Sequence, residues 1–249
     1  YRRQRQMCIR DRFGTTLYAG VISSLLAESG HQVFICNDLQ DHTALFNLRD
    51  QDVVRALEKQ HQSGFLSYCN FAALPLDIDA YFFSFNPTQE AEALDVVQKL
   101  KMRTIIHPKL MINASTFGLN GTEKLKAVLT KDHWVYFPDI IQEGQAFKSV
   151  TSASKVIIGC ADQQAQGDLE EMLRPLFPRQ QQYLFMPVLD AEFTKLSISG
   201  MLATRISYMN DLADVAEKLG IDIAHVRDGM AADSRIGESY LYSGAGFGG

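Results

Sequence analysis

The chain has 249 residues, 46% of them hydrophobic, with 24 basic against 29 acidic side chains and a formal net charge of −5. That balance argues against a nucleic-acid-binding protein, and no run approaches the ~18 apolar residues of a membrane span. Four cysteines, Cys8, Cys36, Cys69 and Cys160, are scattered without CxxC spacing, and the six histidines are equally dispersed. We therefore expect no metal site and no disulfide frame, but a reduced, cytoplasmic chain.

The first twelve residues, "YRRQRQMCIRDR", hold Arg2, Arg3, Arg5, Arg10, Arg12 and Asp11 without a hydrophobic period. They read as a non-native, adapter-like segment, or else as a disordered basic arm, and the fold is expected to begin at Phe13. Helix and strand patterns then alternate. "AGVISSLLAESG" (19–30) is helical and ends on Gly30, a natural residue for the left-handed position after a helix. "HQVFICN" is a strand. "QDVVRALEKQHQ" (51–62) is an amphipathic helix with Val53, Val54, Ala56 and Leu57 on its apolar side. "DAYFFSF" (79–85) has the texture of a strand buried on both faces. A helix over 88–100, a strand over 109–116, a helix over 121–129 and strands over 133–138 and 154–160 follow. A helix over 162–176, despite Gly167, and a strand over 182–188 close the run. This alternation indicates an α/β fold, a Rossmann-like doubly wound parallel sheet.

The texture changes near residue 188. Residues 190–220 carry Phe193, Leu196, Met201, Ile206, Met209, Leu212, Ala213 and Ala216 near helical period, with Gly220 as the stop. Such a helix is about 45 Å long at ~1.5 Å per residue, more than one small domain needs. Helices of this kind join domains or pair across a dimer. A short helix over 222–231 follows, with Asp222 as its N-cap. The expected domains are residues 13–187, a dinucleotide-binding unit, and 188–249, a central helical unit.

If the lead-in forms a strand, "FGTTLYAG" (13–20) falls at the first strand-to-helix turn. A dinucleotide fold wants G-x-G-x-x-G/A there. Gly14 and Ala19 fit the first and third positions. Thr16 stands at the second, where its Cβ crowds an approaching phosphate. The helix N-terminus still offers free N–H groups and a positive dipole end. The acidic residue expected ~20 positions later, for the ribose hydroxyls, falls at Asn37 or Asp38; ordinary strand-end turn residues are the alternative. The last six residues, "GAGFGG", hold four glycines. Glycine loses the most entropy on ordering, so the stretch reads as a lead-in to further sequence.

Four stretches resemble the UDP-glucose/GDP-mannose dehydrogenase family: "LLAESGHQV" (25–33), "STFGLNGTEKL" (115–125), "FPDIIQEGQA" (137–146) and, most closely, residues 191–249. The resemblance implies NAD as cofactor, a nucleotide sugar as substrate, a homodimer through the 190–220 helix, and a role in polysaccharide biosynthesis. It implies two successive hydride transfers that take the sugar C6 alcohol to the acid through a Cys thioester. In the family the stretch matching "GAGFGG" runs into the nucleophilic Cys. The 249-residue chain is therefore expected to be a fragment that stops before it and cannot complete the reaction.

The same resemblance implies roles for single residues. Lys195 stabilises the developing oxyanion and moves a proton; read alone, a Lys on an apolar helix face either snorkels to water or serves a pocket. Ser199, one turn on, replaces the family's Asn. Asp139, one methylene shorter than the family's Glu, is the base for the water that cleaves the thioester. Glu143 and Thr116 lie near the nicotinamide. Asp139 and Glu143, four apart, can equally be helix-start acids that complement a dipole. Arg235 reaches the substrate across the dimer, or is a surface arginine. Phe247, Gly248 and Gly249 form the loop against the sugar, with Tyr240 and Tyr242 nearby. The departures Thr16, Asn37, Phe137, Asp139 and Ser199 keep open a non-catalytic relative that binds a dinucleotide or only dimerises. A two-electron β-hydroxyacid dehydrogenase is a third reading, which the "DSRIG…GFGG" segment disfavours.

Overall fold

The computed structural model describes residues 6–10, 16–36, 50–103, 110–130, 133–139, 141–142 and 144–244. Two compact units divide at Phe193/Thr194. The first holds β1 (Gln6–Arg10), α1 (Leu17–Glu28), β2 (Gln32–Cys36), α2 (Gln51–Gln62), β3 (Leu66–Cys69), β4 (Ala80–Phe83) and α3 (Glu90–Met102). It continues with β5 (Leu110–Asn113), α4 (Gly121–Val128), β6 (Trp134–Tyr136), α5 (Ala146–Thr151), β7 (Val156–Gly159), α6 (Gln163–Leu173) and β8 (Tyr183–Met186). Helix α7 (Val188–Leu219) starts in this unit and carries on into the second, where α8 (Ile223–Ala231) follows it.

The eight strands form one sheet in the order β3-β2-β1-β4-β5-β6-β7-β8. Neighbours are parallel except β6 and β7, which meet antiparallel at Tyr136↔Gly159. The expected α/β doubly wound sheet is present, with this reversal as an addition. Residues buried on both faces make the central strands. Along β4, Ala80 and Phe82 enter one core and Tyr81 and Phe83 the other; β5 divides Leu110 and Ile112 from Met111 in the same way. That is the two-residue alternation of a strand. Helices α1, α2, α5 and α6 cover the first face, through Ile22, Leu26, Val53, Leu57, Val150 and Leu169 among others. Helices α3 and α4 cover the second, through Val96, Val97, Leu100 and Leu125. On that second face Phe83 and Trp134 stack with ring centroids 5.5 Å apart.

Residues 1–12 were set outside the fold, yet residues 6–10 are placed as β1 at the middle of the sheet. The strand pairs from Gln6↔Gln32 to Arg10↔Cys36 on one side and from Met7↔Ala80 to Arg10↔Phe83 on the other. A ladder uses backbone N–H and C=O groups, so a segment without hydrophobic period can fill the position. Two elements had no counterpart in the sequence reading, β3 and α5. Each spans less than two helical turns or one short strand, too few residues for a period to register.

The helix ends follow local chemistry. Gly30 lies at φ 89°, its N–H bonds Ala27 O at 3.0 Å and the His31 N–H bonds Leu26 O at 3.1 Å. This is the paired closure of a helix by a left-handed residue. Gly220, at φ 67°, ends α7, and the Asp222 carboxylate accepts the Ala224 N–H at 2.8 Å to start α8. The Asp162 carboxylate caps α6 by accepting from Gln164 N at 2.8 Å and also contacts the His133 ring. The Gln164 N–H, and then the His133 contact, hold the Asp162 carboxyl below its ordinary pKa despite some desolvation.

The first turns of α7 pack on the end of β7, where Gly159 leaves no room for a side chain. A Cβ there would lie 2.9 Å from Val188 Cα and 3.0 Å from both Ala191 Cβ and Tyr136 Cβ. Gly159→Ala is therefore expected to lower stability by about 1–3 kcal/mol in urea unfolding; an unchanged midpoint would contradict this packing. Asp162→Ala should cost ~1 kcal/mol at neutral pH through loss of the cap. Because the folded-state pKa of Asp162 is depressed, its contribution is present above the ordinary carboxylate range. It is lost as pH falls through the lowered value, so the gap between wild type and variant should close in strong acid.

Candidate functional site at the carboxyl ends of the strands

Strand order reverses around β1. The chain builds outward through β2 and β3, then returns to place β4 on the other side of β1. In doubly wound sheets ligands bind at this reversal, outside the carboxyl ends of the strands. Thr16, the N-cap of α1, lies there. Its hydroxyl oxygen accepts the Ala19 N–H at 3.1 Å and stands 2.6 Å from the hydroxyl of Ser84, just beyond β4. Thr16 has φ −58° and ψ 144°, an ordinary extended conformation that glycine is not needed to reach. Its departure from the glycine pattern thus bears on space and hydrogen bonding, not on backbone strain.

The neighbouring strand ends are tied together by a buried network. The Ser115 hydroxyl donates to Phe83 O and accepts from Phe85 N–H, both at 2.9 Å. The Ser115 N–H donates to Asn113 Oδ1 at 3.0 Å, and Asn113 Nδ2 donates to Thr122 Oγ1 at 2.9 Å. Asn113 and Ser115 are buried. Every one of these groups has a partner, so the network fixes the turn that presents Thr116.

Thr116 lies beside the Tyr136 phenol at the end of β6. Burial raises the Tyr136 pKa well above its ordinary value; the nearby carboxylates of Glu192 and Asp139 raise it further, and the Thr116 side chain partly offsets them. Burial also raises the Tyr18 pKa, followed by Asp139 and Tyr136, and the Tyr18 hydroxyl has no partner among the described residues. Both phenols therefore stay protonated at neutral pH and can donate a hydrogen bond. Asp139 itself lies in an irregular segment, where its carboxylate accepts the Ile141 N–H at 3.0 Å. Asp139 does not start a helix, since α5 begins only at Ala146, and its reading as a helix-start acid is corrected; Glu143 lies outside the described residues.

Glu192, in the second turn of α7, is 3% exposed. Its two oxygens accept the Asn120 N–H at 2.7 Å and the Thr122 N–H at 2.8 Å. Asn120 sits at φ 63° and gives α4 no side-chain cap, so Glu192 caps it from a distant part of the chain. A carboxylate at a helix N-terminus meets both free donors and the positive dipole end.

Tyr18, Ser84, Tyr136 and Glu192 were not singled out from sequence. Glu192 did leave one signal: a charged residue three before Lys195, on the same face of the helix.

In the second unit, Lys195 and Ser199 are half-buried and one turn apart on α7. Ile206, Met209 and Ala216 are buried as the helical period implied, whereas Met201 is 64% exposed. Arg205 donates to Gly237 O at 3.2 Å, and Asn210 exchanges two hydrogen bonds with Gly244. These bonds tie the segment after α8 to α7. Arg235 is exposed and its fork is taken by Asp233, with Nε–Oδ1 at 3.0 Å and Nη2–Oδ2 at 2.6 Å. Tyr240 and Tyr242 stack, with centroids 6.4 Å apart.

The structure thus brings Thr16 and Ala19 together with Ser84, and Thr116 with Tyr136. Lys195, Ser199 and Arg235 belong to the second unit. Gly14, Asn37, Asp38, Glu143, Phe247, Gly248 and Gly249 lie outside the described residues. Among the described residues no group of three His, Cys, Asp or Glu could hold a metal, and no helix is long and apolar enough to cross a membrane.

Glu192→Ala leaves the buried Thr122 N–H and the part-buried Asn120 N–H without this acceptor and is expected to cost about 2 kcal/mol in urea unfolding. Glu192→Gln keeps one acceptor and should lose roughly half as much. Equal stability of all three proteins would contradict the cap.

Comparison with known proteins agrees with this geometry. Residues 189–249 match the model of the UDP-glucose/GDP-mannose dehydrogenase family, central domain. A UDP-glucose 6-dehydrogenase of Pseudomonas aeruginosa is 38% identical over 112 residues, 45% of this chain and 25% of that protein. A UDP-glucose 6-dehydrogenase of Bacillus subtilis is 25% identical over 256 residues, 94% of this chain and 57% of that one. The structure of a UDP-glucose dehydrogenase from Pyrobaculum islandicum superposes with a TM-score of 0.83 at 22% identity, covering 99% of this chain and 61% of its own. The chain therefore spans well under two thirds of the length of these relatives.

Proposed function

Because residues 189–249 carry the central domain of the UDP-glucose/GDP-mannose dehydrogenase family, we propose that the protein is an NAD-dependent nucleotide-sugar 6-dehydrogenase of the UDP-glucose to UDP-glucuronate type. The observation that carries this reading in the first unit is the strand reversal at β1/β4, with the N-terminus of α1 beside it and the Thr116–Tyr136 pair on the next strand ends.

The fit to a dinucleotide is good in topology and imperfect at Thr16 and at Asn37, which stands where an acidic residue is expected. The N-terminus of α1, with Gly14, Thr16 and Ala19, would hold the pyrophosphate. Asn37 or Asp38 would meet the ribose, and Thr116 and Glu143 the nicotinamide end. Thr16 fits poorly, since its hydroxyl already takes the Ala19 N–H. When bound, the nicotinamide supplies the hydride acceptor.

The remaining work falls to the chain's own side chains. The Lys195 side chain, with the Ser199 hydroxyl one turn away, stabilises the developing oxyanion and moves a proton. The Asp139 carboxylate accepts a proton from the hydrolytic water. Arg235 must release Asp233 before its fork can bind a phosphate or sugar.

The second oxidation needs a thiol to hold the aldehyde. Cys36 and Cys160 are buried, and burial pushes the Cys160 thiol up, which opposes a thiolate. Cys69 is half-buried on β3. None of these three, the cysteines whose side chains are described, is assigned that role, and we expect these residues to bind dinucleotide without turnover.

A homodimer through the 190–220 helix and a cytoplasmic setting belong to the same reading. Met201, Tyr208 and Val215, seven residues apart on α7, are 64%, 54% and 50% exposed. An apolar row at this spacing is the seam by which helices pair. The Thr16 cap favours a second reading, a relative that only binds a dinucleotide or dimerises.

NADH binding to the purified chain, followed through its single tryptophan, Trp134, and NADH formation with NAD and UDP-glucose test these readings together. We expect binding without NADH formation. Two NADH per sugar would establish the four-electron reaction and overturn the expected inactivity of these residues. One NADH per sugar would replace it with a two-electron oxidation. Failure to bind would overturn the dinucleotide reading. For the dimer, Tyr208→Glu should convert a sedimenting dimer to monomer; a wild-type chain that sediments as a monomer would refute that interface.

A further inference from the structure

We propose that Thr16 and Ser84 form a latch across the strand reversal that competes with a dinucleotide for the N-terminus of α1. The inference rests on the dinucleotide reading above and concerns how that site is controlled.

The first four N–H groups of a helix lack intrahelical acceptors, and these are what a phosphate uses at a helix N-terminus. In α1 the chain supplies its own acceptor. Thr16 Oγ1 accepts the Ala19 N–H at 3.1 Å, so one first-turn donor is already spent. The same oxygen is 2.6 Å from Ser84 Oγ, a residue 68 positions away, so the hydroxyl is held on two sides. Ser84 is 3% exposed and follows β4 directly, which places the contact at the β1/β4 reversal itself.

The Ser84 end of the latch is rigid. Phe83 O and Phe85 N–H, on either side of Ser84, are both bound by the Ser115 hydroxyl. The Thr16 backbone is unstrained. A phosphate that takes the Ala19 N–H must first displace the Thr16 hydroxyl, and the displaced hydroxyl leaves Ser84 without that partner. Binding therefore carries the cost of breaking two hydrogen bonds, one of them buried on the Ser84 side.

The expected consequence is a weakened dinucleotide affinity that two separate substitutions restore. NADH titrations would compare wild type with Thr16→Gly, Thr16→Ser and Ser84→Ala, with far-UV circular dichroism to check folding. Thr16→Gly, which removes both hydrogen bonds, should bind about tenfold tighter, and Ser84→Ala, which removes one, about threefold tighter. Thr16→Ser keeps the hydroxyl and should stay within about twofold of wild type.

Wild type binding as tightly as Thr16→Gly and Ser84→Ala would overturn the latch and leave the dinucleotide reading standing. Tightening by Thr16→Ser as large as by Thr16→Gly would also overturn it, because the methyl group and not the hydroxyl would be the obstacle. If Ser84→Ala changes nothing while Thr16→Gly tightens, the cross-strand half of the latch is refuted. If no variant binds, the dinucleotide reading fails and the latch with it. Should Thr16→Gly not fold, Ser84→Ala decides between these outcomes, since it leaves the cap of α1 in place.

Discussion

The Glu192 carboxylate constrains more of the first unit than any other single group. A carboxylate taken out of water needs compensation close to the strength of its lost hydration. Here that comes from two backbone N–H groups at the start of α4, at 2.7 and 2.8 Å. Neither α4 nor the opening turns of α7 can shift without leaving the charge and its donors unpaired. The turn carrying Thr116 runs directly into α4, and Lys195 follows Glu192 by three residues on the same helix. Gly159 acts in concert, because its missing side chain lets Val188 and Ala191 approach β7. The start of the long helix is thus fixed by one charge and one absence.

The sheet explains why polar groups collect where they do. Parallel strands bring their carboxyl ends to one edge, and the turns leaving β4, β5 and β6 contribute Ser84, Thr116 and Asp139 in turn. Along β4 the residues are apolar and buried on both faces, and hydrophilic groups collect at these ends. Tyr136 at the end of β6 and Tyr18 on α1 add two phenols beside Asp139. Both phenols are buried beside carboxylates, which keeps their protons on and leaves them as donors. The Tyr18 hydroxyl, unpartnered among the described residues, is a buried donor at the foot of the helix whose N-terminus faces the strand reversal.

Much of the fold was legible because its elements are long or carry end signals. The helix over 19–30 was found from its apolar content and Gly30, and α7 and α8 from period, Gly220 and Asp222. What escaped was either short or tertiary in origin. β3 and α5 are too brief to show a period. β1 holds its place through backbone pairing, which composition does not encode. Asp139 read as a helix-start acid because of its four-residue spacing to Glu143, but no helix starts at Asp139. Glu192 was invisible as a cap because its partners lie some seventy residues earlier in the chain. Thr16 was legible as a departure from a glycine pattern. Its consequence was not, because that depends on Ser84.

Thr16 and Ser199 are departures of different kinds, and the difference bears on how a site of this type tolerates change. On the family resemblance, Ser199 stands where an amide is expected, a shorter side chain with less reach. Thr16 adds a group, and the added group finds partners inside the protein. A shortened side chain weakens one contact to a ligand. A self-satisfied one sets the protein's own hydrogen bonds against the ligand's, so the unliganded state gains what the bound state must give up. Stability and affinity are then opposed at one residue. The helix start is better capped for folding because it is less available for binding, a trade expected wherever a binding site is built from unsatisfied backbone donors.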